Sequence, residues 1–479
     1  MIPPIDPAAG SLPTSAGVTN SALSAGVSRR TVLQGGLALA AALATGGLLS
    51  GCAGGKSSSK VSSSGKLRSV STNKSQSGTV TLWVPATDLA KVFASVIPAF
   101  NAVYPNIKVN QVQVAIDTKL PPTLVSGAGV PDGAFWGDTN IPGQAAHFAD
   151  LSDVMAQYKS DIVPYKVDVN TVNGRLVGVP WDTDPGLLYY REDLLNAAGV
   201  DATTLTSYDS LLTAARALKA KNPNAKPIPL EQDPGLSLQW LEMFANQQQG
   251  VGMVDKSNKL HIDSDAYRNA LTWIKAVSDE GLGTRQKFAN TADVASLDDG
   301  TQSLCPWAVW WIFLPQGALK TSVGKWRVTS LPSWTPSGAR SGVMGGSSFV
   351  IPAKAKNPDL AWLFYEFLVF NKTGYTAGFG KNATYPGGLN TVVPSYTPAL
   401  DPATPLFSPI SQLGNEPLWQ TDIAAVKQIP AGYFIPTWFN QASTYLGANL
   451  QQLMDGKMSV DDVISKSSDE IQKNLINRA

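Results

Sequence analysis

Two short runs of this chain set an indole beside acids or amides, and a third carries three indoles together. They are Phe135-Trp136-Gly137-Asp138-Thr139-Asn140, Trp181-Asp182-Thr183-Asp184, and Trp307-Ala308-Val309-Trp310-Trp311. A planar ring covers the C–H face of a saturated ring, and its polar edge tolerates water. A neighbouring carboxylate or amide takes paired hydroxyls. Together these groups suit holding a neutral, polyhydroxylated solute. Asp138 and Asp184 would also serve as paired acids for glycoside hydrolysis if they stood roughly 5–10 Å apart, but no catalytic motif accompanies them.

Other chemistries have little to work with. The only histidines, His147 and His261, have no partners at metal-ligand spacing. Beyond Cys52 only Cys305 remains, which excludes an internal disulfide once Cys52 is modified and reads as a small buried hydrophobe. Asp298-Asp299 reads as a helix cap or solvated turn, with a calcium site the lesser alternative. No cofactor and no metal are expected. Of the 13 tryptophans, Trp83, Trp240, Trp273, Trp326 and Trp362 sit inside helical or strand patterns and read as packing residues.

The elements that must position these groups follow an α/β grammar. Thr79 to Val84 is a β-rich run. Leu89, Val92, Phe93, Val96, Phe100 and Val103 then recur at helical spacing, with a kink or early break expected at Pro98. Ile107 to Val114 returns to strand composition, which makes a parallel strand–helix–strand unit. Further helix starts are read at Thr206 with Asp209, Ser264, Asn357-Pro358, and Ser459 with Asp462. No internal repeat and no central linker interrupts the globular part.

The N-terminal stretch is an address. Arg29-Arg30 precede an uncharged run from about Val32 to Leu49, which ends in small residues before Cys52. That order is an export signal. An uncleaved membrane helix is the alternative, since roughly 18 apolar residues just span a bilayer; the Gly content of the run argues against it. Ser28 to Leu33 resembles a twin-arginine export motif, and Leu49-Ser50-Gly51-Cys52 resembles a bacterial lipobox. The resemblance implies cleavage after residue 51 and a lipid on Cys52. Residues 52–77, rich in Ser, Gly and Lys, read as a flexible tether. Residues 1–51 hold two of the 37 basic and one of the 36 acidic residues, so the remainder balances at 35 and 35. A neutral chain is not suited to nucleic acid.

Asn173 to Trp181, followed by Leu188-Tyr189-Tyr190-Arg191-Glu192-Asp193-Leu194-Leu195, resembles the crossing segment of the extracellular solute-binding proteins of carbohydrate ABC transporters, the maltose-binding-protein-like group. Four more segments agree in order: Ala99 to Val109, Gly127 to Asp132, Gly345 to Pro352 with Asn357-Pro358, and Gly456 to Asp462. The resemblance spans about Val80 to Asn477. It implies a periplasmic-binding-protein-like (class II) fold of two α/β lobes with a ligand cleft and hinge crossings. Lobe one would take residues 78–182 plus 343–388, and lobe two 186–340 plus 390–479.

The same resemblance assigns ligand contacts. It implies Trp136 as a stacking platform and Asp138, or Thr139 one place later, as hydroxyl acceptor. Trp181 and Asp184 fall at the first crossing, and Trp310 on the stacking indole of lobe two. Thr87 and Asp88 follow the first strand, Asp233 matches an acid of lobe two, and Trp438 lies near a late aromatic contact. The function implied is capture of a mono- or oligosaccharide and delivery to ABC permease subunits, by a monomer anchored to the outer face of the cytoplasmic membrane. The alternatives are a non-sugar solute (anion, cation or polyamine) in the same fold, or an anchored glycoside hydrolase.

Overall fold

A computed structural model describes residues 72–85, 88–381 and 387–478. The export signal, Cys52, most of the tether and Thr87 lie outside the described residues, as does the side chain of Asp88.

The first lobe grows from the parallel unit expected. β1 (Gly78–Val84) buries Val80, Leu82 and Val84 completely. α1 (Asp88–Val103) lays Val92, Phe93, Val96 and Phe100 against it, all fully buried. β2 (Ile107–Gln113) then pairs in parallel with β1, Gly78 opposite Ile107 and Val84 opposite Gln113. α1 does not break at Pro98. The proline ring and Ala94, whose carbonyl loses its partner, both lie on the exposed face. The carbonyl that the proline leaves without a helix partner is therefore on the solvent side and not in the core.

α2 (Ile116–Ser126) leads into β3 (Gly133–Gly137), which joins β1 on its other side. Two strands from elsewhere in the chain complete this sheet in antiparallel sense. Ser347–Val350 pairs with β3, and Gly178–Pro180 pairs with Ser347–Val350. Asp132 fixes the layers: its carboxylate accepts N–H bonds from Thr81 (2.8 Å) and Asn357 (2.7 Å). Asn357 precedes the Pro358–Phe370 helix, in which Tyr365 stacks on Phe349 at 4.5 Å.

The second lobe is built on an antiparallel sheet with Gly186–Arg191 between Leu304–Ala308 and Trp326–Ser330. A parallel pair, Ile228–Glu231 with Gly283–Gln286, lies beside it. The tryptophans read as packing residues are buried, and several also satisfy their N–H. Trp240 donates to Pro306 O (2.8 Å) and Trp273 to Tyr208 O (3.1 Å). Cys305 is buried and unpaired, and His261 meets Asp255 at 3.0 Å.

The helix starts were legible with one slip. Ser459 and Asp462 form a reciprocal capping box. Upstream, the cap is Ser207 with Ser210, one residue later than Thr206 with Asp209. Ser264 stands at its N-cap position without a side-chain capping bond. Asp298 accepts N–H bonds from Lys320, Thr321 and Ser322, which makes it a loop clamp.

Among the described residues, three segments meet side by side between the two sheets. Asp182–Thr183 pairs with Val393–Pro394, and Pro185 bridges to Val343. Short crossings of this kind concentrate any change of lobe angle in few residues.

Candidate functional site

A cavity of about 330 Å³ opens above these crossings. Its first-lobe wall comes from the end of β3 and the start of α2. Phe135 and Trp136 line it with Asp117, Thr139 and Asn140. The Trp136 indole is held by its N–H bond to Asp117 Oδ1 (2.8 Å) and by edge contact with Phe148, and keeps only 3% exposure. Burial raises the Asp117 carboxyl above its ordinary range, while the Trp136 hydrogen bond opposes that shift.

The opposite wall is aromatic. Trp310 sits in a short helical turn after Leu304–Ala308, partly exposed, with Phe288 and Phe313 beside it. Trp307 stacks behind Phe288 at 5.0 Å, and Trp310 meets Phe288 edge-on at 5.1 Å. Of the three neighbouring indoles, Trp307 and Trp311 are buried in packing and Trp310 lines the cavity. Its N–H donates to Met344 O (3.2 Å), which ties this wall to the second crossing. Glu231 fixes Phe288 from behind, accepting its backbone N–H at 2.8 Å and that of Asp233 at 2.7 Å. Burial pushes the Glu231 carboxyl up to about 7.

The floor is the crossings themselves. Asp182 Oδ1 accepts the Ser347 N–H (2.5 Å), and Asp184 Oδ2 accepts the Gly346 N–H (2.7 Å). Lys166 enters from beneath, from the Pro164–Val169 helix. Fully buried, it donates to Asp138 and to Ser347 O (2.9 Å), and stands 4.0 Å from Asp182. Burial, and for Asp184 the charge of Asp182, hold both crossing carboxyls above their ordinary range; Lys166 pulls against this. Gly345 and Gly346 both adopt φ +107°. A Cβ at 345 would lie 2.6 Å from Asp184 Oδ2, and one at 346 would lie 2.7 Å from Asp138 Oδ2. The paired glycines thus let backbone approach carboxylate. Gly346→Ala is expected to cost about 2 kcal/mol, from the left-handed backbone and the displaced carboxylate. Its melting temperature should fall well below that of Gly174→Ala, a left-handed glycine with open space around it.

Five of the residues read from sequence line this cavity: Trp136, Thr139, Trp181, Asp184 and Trp310. Three others lie elsewhere. Asp138 is under the floor, bonded to Lys166 and to the Ser348 hydroxyl (2.7 Å), so it does not flank the cavity opposite Asp184. Asp233 caps the Pro234–Gln249 helix, accepting N–H bonds from Gly235 and Leu236. Trp438 is packed in the core with 6% exposure. Asp117, Phe135, Asn140, Phe288 and Phe313 were not anticipated. Phe135 and Asn140 lie within the run already singled out, whereas Phe288 carries no local signal.

The model of the bacterial extracellular solute-binding proteins matches residues 86–375, well over half of the chain. The chain is 26% identical over 421 residues to the lactose-binding protein of Rhizobium radiobacter, spanning 82% of this chain and 92% of that one. It is 25% identical over 327 residues to the arabinooligosaccharide-binding protein of Bacillus subtilis (strain 168), spanning 63% and 71%. Among solved structures, the GacH receptor of Streptomyces glaucescens GLA.O superposes with a TM-score of 0.66 at 20% identity, over 84% of this chain and 99% of that one. The sugar-binding protein MalE from Xanthomonas citri does so at 0.66 and 19%, over 84% and 98%. A cleft walled by rings from two lobes and floored by their crossings is a place to hold a solute. This chain belongs to the bacterial extracellular solute-binding proteins, carriers rather than enzymes.

Proposed function

We propose that this protein captures a mono- or oligosaccharide between its lobes and delivers it to the permease of an ABC importer, working as a monomer tethered by a lipid on Cys52. The observation that carries the reading is the pairing of walls. Partly exposed Phe135 stands on one lobe and Trp310 on the other, with Trp181 and Asp184 between them at the crossing. A sugar ring offers two C–H faces for the rings and a rim of hydroxyls for the floor. A ligand closes such a protein only by touching both lobes at once. Relatives named for lactose and for arabinooligosaccharides support a sugar as the solute.

In this reading lobe one comprises residues 78–182 and 343–388, and lobe two 186–340 and 390–479. Trp136, Thr139, Trp181, Asp184 and Trp310 contact ligand. Asp138 acts from beneath, through Lys166. Asn440 bonds Asn140 across the cleft mouth (2.7 Å), and Lys256 meets Asp168 at 2.7 Å. The second pair is largely exposed, and such pairs contribute little. Lys256→Ala should change sugar affinity less than about fivefold, and less still at high salt.

Titration of the purified protein with a panel of mono- and oligosaccharides, followed by tryptophan fluorescence, tests the function. A saturable change with at least one sugar is expected, and the sugar should be recovered intact. If only an inorganic ion or a non-sugar amine gave a response, this reading would fail.

A further inference from the structure

Three buried carboxylates share one buried ammonium beneath the cavity. Asp138, Asp182 and Asp184 are 1%, 1% and 5% exposed, and Lys166 is fully buried. Fully ionised, the cluster carries three negative charges against one positive. Lys166 is already committed to Asp138 and Ser347 O. Backbone N–H groups serve Asp182 Oδ1 and Asp184 Oδ2, while Asp184 Oδ1 and the Trp181 Nε1 have no partner among the described residues. Asp182 and Asp184 line the cavity.

Nothing on the cavity walls corrects the deficit. Asp117 adds a further acid, and no Lys, Arg or His is among the described lining residues. An uncompensated buried carboxylate is costly, so it keeps a proton or acquires a cation. A cation arriving with the ligand would form a charge-assisted bond to the Asp184 carboxylate, and the aromatic walls also favour one.

We propose that the cleft selects a sugar bearing a basic nitrogen, an amino sugar or an oligosaccharide containing one, with its ammonium seated against Asp184. This rests on the sugar-binding reading above. The titratable groups facing Asp184 are Asp182 on the same crossing, Asp138 and Lys166 from lobe one, Tyr165 beside Lys166, and Tyr189 from the Gly186–Arg191 strand. Tyr433 faces Asp138 from lobe two. Burial, and after it the charge of Asp182, hold the Asp184 carboxyl well above its ordinary range. On binding, the ligand enters already as ammonium, Asp184 becomes carboxylate, and its proton passes to the buffer.

The test uses the full chain in mild detergent and matched sets of glucose, galactose and their β-1,4-linked disaccharides. Each sugar is paired with its 2-amino and 2-acetamido counterparts, and binding is measured by calorimetry in two buffers of different ionisation enthalpy. In at least one set the amino sugar should bind about tenfold tighter than its neutral counterparts, with an enthalpy that shifts between buffers as proton release requires. Asp184→Asn should abolish the preference, so that the amino and neutral members of each set bind with the same affinity as one another, whatever that affinity is. The inference is overturned, and the sugar reading kept, if neutral members bind as tightly, if no proton is released, or if the preference survives in Asp184→Asn. Absence of binding by every sugar in every set overturns both.

Discussion

Replacing Trp310 with alanine is expected to weaken sugar binding on the order of 30-fold or more while leaving the fold nearly intact. Truncating a central aromatic anchor in a desolvated site costs about 2 kcal/mol or more, which is the stated loss in affinity. Trp310 has the position for this. It is partly exposed, it lines the cavity, and its N–H bond to Met344 O fixes the ring relative to the second crossing. Its neighbour supplies the control. Trp307 is 1% exposed and stacked on Phe288, so Trp307→Ala opens a core cavity at a cost of about 3–5 kcal/mol in stability. Calorimetric titration and melting curves on the two variants separate the roles. An unchanged Kd for Trp310→Ala would remove Trp310 from the binding surface.

The second large effect belongs to Lys166. In Lys166→Met the side chain keeps similar bulk and loses its charge, leaving three buried carboxylates without a cation. Breaking a buried pair in this way costs about 3–5 kcal/mol, a large part of the roughly 5–15 kcal/mol that holds a typical domain together. The pH dependence has a definite sign. Asp182 and Asp184 already sit above their ordinary range, so the folded state binds more protons than the unfolded one. Their contribution is fully present below the ordinary carboxyl range and is lost as pH rises through the folded values. Removing Lys166 removes the group that pulls both downward. The variant's melting temperature should therefore fall more steeply than the wild type's between about pH 5 and pH 8. Parallel curves for the two proteins would show that the lysine does not neutralise this cluster.

Much of this arrangement was legible in the chain because it rests on local rules. Ser459 with Asp462 and Asn357 before Pro358 mark helix starts by backbone chemistry alone. The same rule, applied to Asp233-Pro234, identifies a cap, and the structure uses Asp233 as one. Reading it instead as a ligand contact followed the family pattern over the local signal. Pairing across the chain was harder to see. Phe288 gains its place from Glu231, 57 positions earlier, and no periodicity encodes that contact. Lys166 stood in plain view between Tyr165 and Val167, with Asp168 the other charge of its short helix. Its partners arrive from positions 138, 182 and 347, which only the fold brings together.

The strand Ser347–Val350 lies between β3 and Gly178–Pro180, two strands synthesised long before it. Until that strand arrives, β3 exposes an unpaired edge, and the segment leading into the first crossing has no sheet to join. Closing this gap brings together segments 210 residues apart, as the Ser348–Asp138 bond does, so it is slow on chain-entropy grounds. Open edges of this kind invite pairing with other chains. The first lobe therefore cannot mature in the order in which it is made: its inner strand is among its last parts to emerge, and a nascent chain stalled before residue 347 is the form most in need of a chaperone.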